Sequence, residues 1–394
     1  MSDGRSVLSL TSMHDTWRGW LTTQALPLWS NEGFDDRRHL YHERLTWDGA
    51  PIAMAQLRLM VQARQVATYC RAALDGLYDV STQAIRCLDE VERLYRHCDG
   101  ASGWIFSLAP DGTPADRKRD LYAHAFILFA YAWAYELTKE EHYRRIARET
   151  VEEVHKIFAA ANGGFSDAVP APDTVRRQNP HMHLLEAYLA LFEATREQFY
   201  LDHAKALVKF ALGRFIDKRS DMLLEFFDAE WVPCEVYGKN RVEPGHLFEW
   251  AWLLREYERL VGFGGEKAAQ IAGTADRLFA AGISVGIDPE TGIAFDAMTE
   301  EGVVYERSTR IWPQTELMRL LCQRRRLGLL NDAILLVRLS HVFFGRYAPQ
   351  RLSGGWIDRL DSSLTPLVDY MPASSLYHIY GPGRELGIGV SLCK

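Results

Sequence analysis

Residues able to exchange protons or hold charge recur near the start of every second predicted helix of this 394-residue chain. They are Arg58, His124, His183, His246, Glu316 and His378. Histidine changes charge near neutral pH, and a guanidinium or a carboxylate stabilises a developing charge, so this set is suited to general acid–base chemistry. If the helix pairs close into a ring, these helix starts meet at one end and form a polar pocket.

His246 follows Pro244-Gly245, which bends the chain into a helix and places the histidine in the first helical turn. Glu249, three residues later, shares the same helical face. The partial positive charge at a helix N-terminus disfavours an imidazolium, so we expect His246 to be neutral and able to accept a proton. We expect Glu249 to orient the ring or to join the proton transfer.

His181 and His183 lie in the first turn of another predicted helix, and their spacing invites a metal-site hypothesis. Residues two apart on a helix point in different directions, which disfavours chelation by this pair. No cysteine or carboxylate stands at a supporting spacing for zinc. The sequence therefore predicts no metal site.

Arg58 and His378 occupy apolar segments, where a buried charged group is unfavourable unless it has a partner or a function. Ser374 is a good N-cap, which places His378 about one turn into the last helix. Arg58 needs an anionic or oxygen-rich partner in its apolar surroundings. A cap, a core histidine or an ion-pair arginine explains any one of these residues, but the burial of several ionisable groups at the same helix ends favours a site.

Tryptophans could supply the walls of such a pocket. Trp250 and Trp252 fit a helix core, whereas Trp312 and Trp356 stand beside proline or glycine at the edges of helices or loops. An indole at such an edge can stack on a sugar ring, and carboxylates can bind the hydroxyl groups at the edge of that ring. The aromatic residues therefore favour a carbohydrate ligand.

Two classes of helix must position these residues, and they alternate along the chain. One class is apolar all round, which is typical of helices inside a larger structure, and the other is amphipathic. The predicted apolar helices are Ala53–Leu77, Leu121–Leu137, His181–Thr195, Gly245–Leu260, Trp312–Arg326 and Ser374–Tyr380. The predicted amphipathic helices are Ala84–Cys98, His142–Phe158, Tyr200–Phe215, Lys267–Ile283 and Asn331–Tyr347, with a further helix at His14–Leu28 as partner of the last apolar one.

About one helix pair per sixty residues indicates a helical repeat array of six pairs. We predict an all-α fold, an (α/α)6 barrel with an inner and an outer ring, formed by a single domain over residues 1–394. An open solenoid is the alternative, and it would need polar caps at both ends. Segments rich in glycine and aromatic residues predict short β hairpins over one mouth. These segments are Gly163–Asp167, Leu223–Asp228, Gly292–Asp296 and Gly354–Asp358.

Composition limits the remaining function classes. The chain is 47% apolar with a formal net charge of −7, and its densest basic run, Arg324–Arg326, is expected to end a helix. No nucleic-acid partner is predicted. The six cysteines form no CxxC pair, and we see neither a signal peptide nor a long apolar run, so we expect reduced thiols, a cytoplasmic location and no membrane partner.

At these residues the chain resembles the N-acylglucosamine 2-epimerase superfamily over nearly its whole length. The resemblance rests on Gly33-Phe34-Asp35, Glu43, Arg58, Val61-Gln62-Ala63-Arg64, His124-Ala125-Phe126, Met182-His183, Glu186-Ala187, Pro244-Gly245-His246, Glu249-Trp250, Trp312-Pro313-Gln314-Thr315-Glu316, Gly355-Trp356, Asp358 and Tyr377-His378. The order and spacing of these motifs are specific together, although each is weak alone. The family fold is an (α/α)6 barrel, in agreement with the repeat pattern.

The resemblance implies site residues and roles. The implied pocket contains Arg58, His183, His246, Glu249, Trp312, Glu316 and His378. The histidines matching His246 and His378 act in the family as acid and base, and the arginine matching Arg58 stabilises the oxygen that gains charge. His124 matches a family histidine without a clear role, and we count it and Trp356 as substrate-binding candidates. The segment 371–378 looks more like the mannose isomerase branch than the N-acyl sugar epimerases.

The hypothesis is proton transfer at C2 of an opened, unphosphorylated monosaccharide through a cis-enediolate, with conversion of mannose to fructose favoured. His378 is favoured for removing the proton and His246 for delivering it, with the exchanged assignment left open, and Arg58 and His183 would hydrogen-bond the charged oxygens. No metal, nicotinamide or other cofactor is required, and a monomer or homodimer is expected. An N-acylglucosamine 2-epimerase is the alternative; more distant ones are a glycoside hydrolase using Glu249 and Glu316, or a non-catalytic helical binding protein.

Overall fold

Long α-helices separated by short strands make up the computed structural model, which describes residues 10–262, 266–329 and 333–391. The helices are α1 (Leu10–Trp20), α2 (Leu26–Asn31), α3 (Leu59–Leu74), α4 (Ser81–Tyr95), α5 (Leu121–Thr138), α6 (Glu141–Phe158), α7 (Gln178–Thr195), α8 (Gln198–Arg214), α9 (Pro244–Val261), α10 (Glu266–Val285), α11 (Ile311–Arg326), α12 (Ile334–Val342) and α13 (Leu376–Ser391). Short π-helical turns (Leu21–Ala25 and Phe343–Tyr347) and 3-10 turns (Gln350–Leu352 and Ala373–Ser375) extend or connect them.

The strands are two or three residues long. They are β1 (Phe34–Asp35), β2 (Leu40–Tyr41), β3 (Arg44–Thr46), β4 (Leu57–Arg58), β5 (Ser107–Leu108), β6 (Pro114–Asp116), β7 (Arg119–Asp120), β8 (Ala168–Val169), β9 (Arg176–Arg177), β10 (Phe226–Phe227), β11 (Arg241–Val242), β12 (Ala297–Thr299), β13 (Val304–Glu306), β14 (Thr309–Arg310), β15 (Arg359–Leu360) and β16 (Tyr370–Pro372).

Six helices form a closed inner ring. Along the chain, α3 packs on α5, α5 on α7, α7 on α9, α9 on α11 and α11 on α13, and α13 packs back on α3. The outer helices pack on the inner helices that precede them in the chain, and these outer helices are α4, α6, α8, α10 and α12. Helix α1 packs on α13 and α12. The predicted all-α (α/α)6 barrel is therefore confirmed, and the open solenoid is wrong.

The strands form a second ring at the end where the inner helices begin. In six antiparallel pairs, the strand leading into one inner helix joins a strand in the loop before the next inner helix: β4–β5, β7–β8, β9–β10, β11–β12, β14–β15 and β16–β3. The last pair links Tyr370–Pro372 to Arg44–Thr46 and so closes the ring across the two ends of the chain. Other pairs, such as β1–β2 and β12–β13, are local hairpins that lie outside the segments predicted as hairpins; inside those segments, Phe165 and Ala294 each form only an isolated β-bridge.

Side-chain patterns explain the two layers. In α5, twelve of the residues from Leu121 to Ala134 are buried, and they cover every side of the helix, so the helix must sit between other elements. In α6, the buried residues Tyr143, Ile146, Val151 and Val154 share one face. Each such fully buried apolar side chain contributes about 1.5–3 kcal/mol relative to an exposed one, which holds the outer helices against the inner ring.

Several predicted boundaries differ from the structure. The first inner helix begins at Leu59 rather than Ala53, because residues 57–58 form the extended strand β4. The last one continues from Leu376 to Ser391 with Pro382 inside it. The segment predicted as a hairpin at Leu223–Asp228 contains β10, whose partner is β9. Asn331 lies outside the described residues.

Two compositional predictions can be compared with the structure. The cysteines within the described residues are free thiols, and Cys393 lies outside them. In the described parts of the chain, no helix is both long and apolar enough to cross a membrane.

Candidate active site

A cavity of about 300 Å³ opens at the strand-ringed end of the barrel. Its walls come from the first two turns of the inner helices and from the strands and loops before them. The lining residues are Arg64, Tyr122, Arg177, Asn179, His183, Glu225, Phe226, Glu243, His246, Glu249, Arg310, Trp312, Asp358, Ser374, Ser375 and His378. Five of the nine predicted site residues lie here: His183, His246, Glu249, Trp312 and His378.

One register position recurs in all six inner helices and points to the barrel axis. It is the sixth residue after the N-cap, where the N-caps are Arg58, Asp120, Arg177, Glu243, Arg310 and Pro372. The six axial residues are Arg64, Phe126, His183, Glu249, Glu316 and His378. Equivalent positions on helices of a closed ring face a common centre, so residues distant in sequence meet.

Contacts between successive axial residues confirm this arrangement. The Arg64 guanidinium lies 4.1 Å from the centre of the Phe126 ring, and that ring lies 4.6 Å from the ring of His183. Nδ1 of His183 lies 3.8 Å from Oε1 of Glu249. Potential ligand atoms of Glu249, Glu316 and His378 all lie within 4.8 Å of one another. The predicted residue Glu316 thus lies just below the cavity, in contact with residues that line it.

His378 is held by Glu316. Its Nδ1 lies 2.7 Å from Oε1 of Glu316, and both side chains are buried. Because a carboxylate only accepts hydrogen bonds, Nδ1 carries the proton and Nε2 is left as an acceptor. Burial lowers the pKa of His378, and Glu316 offsets this only in part. The imidazole is therefore neutral and ready to accept a proton.

His246 has the opposite electrostatic setting. Its Nδ1 lies 2.9 Å from Oε1 of Glu225 and 3.9 Å from Oε2 of Glu243. Burial lowers the pKa of His246, but the two carboxylates outweigh burial and raise the pKa above that of free histidine. The expectation that the helix dipole keeps this histidine neutral is therefore wrong, because two nearby full charges exceed the partial charge of the helix end.

His183 belongs to a buried network with Glu186. Nδ1 of His183 lies 3.5 Å from Oε2 of Glu186, which also accepts a hydrogen bond from Tyr377 Oη. Arg319 donates to the other oxygen of Glu186 at 3.2 Å. Burial lowers the pKa of His183 to about 4, so this ring is neutral at physiological pH.

Glu249 is a buried carboxyl group without a hydrogen-bond partner among the described residues. Burial, together with the negative charges of Glu316 and Glu186, raises its pKa well above the usual range. A carboxyl group in this setting is protonated, and its O–H can donate a hydrogen bond to an oxygen in the cavity. This group differs from the carboxylates of Glu186 and Glu316, whose pKa values are lowered despite burial, that of Glu186 by His183 and Arg319 and that of Glu316 by Arg319 and His378.

Trp312 contacts both His246 and His378. Its ring centre is 4.8 Å from that of His246 and 5.7 Å from that of His378. The indole therefore gives the wall beside the two imidazoles an apolar surface, as a sugar ring requires.

Arg58 does not reach the cavity. It ends strand β4, and its guanidinium and backbone N–H bind Glu43, with Nη2 and Oε2 at 2.7 Å. Arg64, six residues later, lies in the cavity instead, only 4% exposed. It donates to the backbone oxygen of Ser374 and to Tyr122 Oη, and no carboxylate among the described residues pairs with it.

His124 and Trp356 also lie outside the cavity. His124 accepts a hydrogen bond from the backbone N–H of Trp104 at Nε2 (3.1 Å), and Nδ1 donates to the oxygen of Asp120 (2.8 Å). Burial lowers the pKa of His124 to about 4. Trp356 is fully buried and stacks on Trp29, with ring centres 5.4 Å apart. Both therefore hold loops against helices rather than contact a ligand.

The position of His124 recurs as well, four residues after the N-cap. His181 accepts from the N–H of Phe165, Gln62 from that of Tyr41, and Gln314 from that of Ala294. Each side chain also bonds a second backbone group, so it clamps the loop before its helix. Polar residues near the helix starts therefore serve two purposes, loop clamping at the fourth position and cavity lining at the sixth.

Several functional residues were missed by the sequence-based assignment. Arg64, Glu225, Glu186, Arg319 and Tyr122 all line the cavity or hold a residue that does. The sixth-position register would have found Arg64 if the helix start had been placed at Leu59. Glu225 lies in a loop and gave no such signal, because its partner His246 is distant in sequence.

Two clusters could hold a metal ion by distance alone: His183, Glu186 and Glu249, and Glu249, Glu316 and His378. The sequence-based statement that no carboxylate supports His183 is therefore wrong, since Glu186 and Glu249 are its neighbours. Glu186 and Glu316 are already bound to Arg319, and Glu249 is protonated by its surroundings. These groups fit a proton-transfer network better than a cation site.

Comparison with known proteins identifies relatives over most of the chain. The profile of the family described as N-acylglucosamine 2-epimerase (GlcNAc 2-epimerase) matches residues 41–382. A protein named mannose-6-phosphate isomerase from Rhizobium meliloti (strain 1021) is 33% identical over 379 residues, which cover 92% of this chain and 93% of the relative. A D-mannose isomerase from Thermobifida fusca is 25% identical over 307 residues, covering 73% and 74%.

A solved structure shows the same fold. The crystal structure of a D-mannose isomerase matches with a TM-score of 0.83 over 98% of this chain and 99% of the other. The two sequences are 19% identical, so this likeness concerns the (α/α)6 barrel itself.

Proposed function

The chain belongs to the N-acylglucosamine 2-epimerase family, and from this membership we propose that it is a sugar isomerase that converts mannose to fructose by proton transfer at C2. The observation that carries the proposal is the pair of buried histidines beside Trp312 with opposite pKa shifts. One is a neutral acceptor and the other a charged donor, which are the two states that general base and general acid catalysis need.

His378 is the proposed base. Its Nδ1–H donates a hydrogen bond to Glu316, so the unprotonated Nε2 is available to remove the C2 proton of the opened sugar. The electron pair of the C2–H bond forms the C1–C2 double bond, and the carbonyl electrons move to O1, which gives a cis-enediolate. Glu316 stabilises the imidazolium that forms, because its ionised oxygen lies next to the Nδ1 proton.

His246 is the proposed acid. The carboxylates of Glu225 and Glu243 raise its pKa and so favour the protonated form, which can return a proton to the enediolate. Return of a proton to C1, with transfer of the O2–H proton to O1, yields the ketose, and the two histidines regain their starting protonation states by exchange with solvent. Return to the opposite face of C2 yields the 2-epimer, which is the product of the alternative N-acylglucosamine 2-epimerase activity.

Arg64 takes the role that the sequence assigned to Arg58. Its guanidinium has no carboxylate partner among the described residues, so its charge is available to an anionic oxygen of the enediolate. His183 and the protonated Glu249 lie beside it as further hydrogen-bonding groups. Preorganised donors of this kind stabilise a charge that appears only during the reaction.

An unphosphorylated sugar is the proposed substrate, with mannose 6-phosphate as the competitor suggested by the name of one relative. The arginines near the mouth are already neutralised: Arg177 by Asp167 and Asp173, and Arg310 by Asp296 and Glu243. A phosphate dianion would have to displace these carboxylates from Arg177 and Arg310. Otherwise it would pair with Arg64, whose guanidinium would then no longer be available to the enediolate oxygen.

Hydrolysis of a glycosidic bond and non-catalytic protein binding fit the site less well. A glycoside hydrolase needs one carboxylate as nucleophile or base, but Glu316 is bound by His378 and Arg319. A protein-binding site needs an exposed surface, whereas the polar residues here line a cavity in the mouth of the barrel. The cytoplasmic location, the oligomeric state and the single domain over residues 1–394 stay predictions.

Proton NMR in D2O tests the proposal directly. The protein is incubated separately with D-mannose, D-glucose, mannose 6-phosphate and N-acetylmannosamine. Formation of fructose from mannose with deuterium incorporation supports the isomerase, and His378→Asn serves as the inactive control. Exchange confined to mannose 6-phosphate would overturn the substrate assignment, and epimer without ketose would favour the 2-epimerase.

A further inference from the structure

A second cavity, of about 270 Å³, lies at the opposite end of the barrel, where the inner helices end. Its apolar walls are formed by Phe129, Trp133 and Trp252, with leucines around them. Five arginines and four glutamates also line it, an unusual number of charges for a space between apolar helix ends, and the arginines outnumber the carboxylates by one.

Arg71 differs from the other four arginines of this cavity. Arg259, Arg319, Arg326 and Arg384 each pair with at least one carboxylate. Arg71 is only 4% exposed and lies over the rings of Phe129, Trp133 and Tyr380 at 5.2–5.7 Å, but within the described part of the chain its Nε has no hydrogen-bond partner and no carboxylate forms an ion pair with it.

A buried guanidinium without an ion-pair partner is unfavourable, since a buried charge is normally paired and hydrogen-bonded. Burial lowers the pKa of Arg71, as do the positive charges of Arg384 and Arg319, and the opposing effects of Tyr380 and Asp75 offset this only in part. One negative charge placed against Arg71 would remove the imbalance, and the cavity provides the volume for it.

We propose that this cavity is a binding site for a small monoanion, a carboxylate with an apolar or aromatic body. The carboxylate would accept two hydrogen bonds from the Arg71 fork, and the body would pack on Trp133 and Phe129. Arg64 and Arg71 lie seven residues apart on α3, so the same helix presents one unpaired guanidinium to each of the two cavities.

Arg319 connects the two cavities, so we expect binding in the second cavity to affect catalysis in the first. This arginine lines the second cavity, lies 3.4 Å over the Trp252 ring, and donates to both Glu186 and Glu316. An anion bound beside Arg319 would share its charge and weaken its hold on Glu316. Because Glu316 holds His378, occupation of the second cavity is expected to change the turnover number.

Binding is tested on the full chain without sugar. Thermal unfolding and calorimetric titration are measured with benzoate, acetate and inorganic phosphate, each at constant ionic strength set with chloride. We expect a saturable rise in Tm with benzoate, a smaller one with acetate, and loss of both in Arg71→Met. Arg64→Met, on the same helix but in the other cavity, and the exposed Arg214→Gln should keep the wild-type response.

An unchanged benzoate response in Arg71→Met, or no saturable response of the wild type to any of the three anions, would overturn the proposal. A response to phosphate alone would show that the cavity binds a bare oxyanion rather than a carboxylate with an apolar body. That result would also overturn the proposal. If Arg71→Met does not fold, a crystal structure of the wild type with benzoate decides: density against Arg71 supports the site, and density only elsewhere refutes it.

Discussion

Nδ1 of His378 lies 2.7 Å from Oε1 of Glu316, and both side chains project from different inner helices toward the barrel axis. The bond determines which nitrogen of the imidazole carries the proton and directs the other toward the cavity. Arg319 in turn holds the second oxygen of Glu316 at 3.4 Å. Base strength at this site therefore depends on a chain of three side chains rather than on the histidine alone.

Replacement of Glu316 by glutamine is expected to weaken the base. The amide keeps the shape of the side chain but cannot stabilise an imidazolium, so we expect kcat to fall by roughly 10–100-fold with little change in KM. Steady-state kinetics with mannose and the rate of C2 exchange in D2O measure this. Glu193→Gln, a partly exposed carboxylate on α7, is the matched control. A variant as active as the wild type would remove Glu316 from the mechanism.

The dependence of kcat/KM on pH should be bell-shaped. The base His378 must be neutral, and its pKa is lowered, so activity should rise at a pH below the pKa of free histidine. The acid His246 must be protonated, and its pKa is raised, so activity should fall at a pH above that value. In His246→Asn the alkaline limb should disappear while exchange at C2 persists. Disappearance of the acidic limb instead would reverse the two roles.

Arg64→Met and Arg58→Met separate catalysis from stability. Loss of the Arg64 guanidinium removes the charge facing the enediolate, and we expect kcat to fall by about 10²–10³-fold with a folded protein. Loss of Arg58 leaves the buried carboxylate of Glu43 without its partner, which costs about 1–3 kcal/mol of unfolding free energy and leaves kcat nearly unchanged. Kinetics and urea unfolding of both variants decide, and the reverse pattern would restore Arg58 as the catalytic arginine.

His124→Ala is expected to affect folding rather than turnover. The substitution leaves the backbone N–H of Trp104 without an acceptor inside the protein and removes a buried ring, so the unfolding free energy should fall by about 2–4 kcal/mol. Chemical denaturation measures the loss. The kcat at a temperature where the variant is folded should stay within about twofold of the wild type. A selective loss of kcat would show that this histidine contacts the substrate.

Chelator treatment tests the absence of a catalytic metal. Because Glu186 and Glu316 are bound by Arg319 and Glu249 is protonated, we expect full activity after dialysis against EDTA. Added Mg²⁺, Mn²⁺ or Zn²⁺ should not raise the rate. Inactivation by EDTA that one of these ions reverses would identify the clusters around Glu249 as metal sites.

The sequence by itself determined the helix pairs and their alternation, because helical periodicity and apolar content are local properties that survive any tertiary arrangement. Periodicity left an open solenoid as the alternative, and the family resemblance favoured the closed barrel. The sequence also placed His183, His246, Glu249, Trp312 and His378 near one another, since residues at equivalent ends of a closed ring must meet. The boundary of α3 was harder, because the extended residues before Leu59 are as apolar as the helix that follows.

Only the tertiary structure decided which polar residue of each helix start faces the cavity and how it titrates. Arg58 and Arg64 both lie near the start of α3, and the offset of six positions turns one toward Glu43 and the other toward the barrel axis. The raised pKa of His246 comes from Glu225, which lies in the loop before strand β10. Electrostatic interactions act through space between elements that are distant in sequence, so no local pattern reports them.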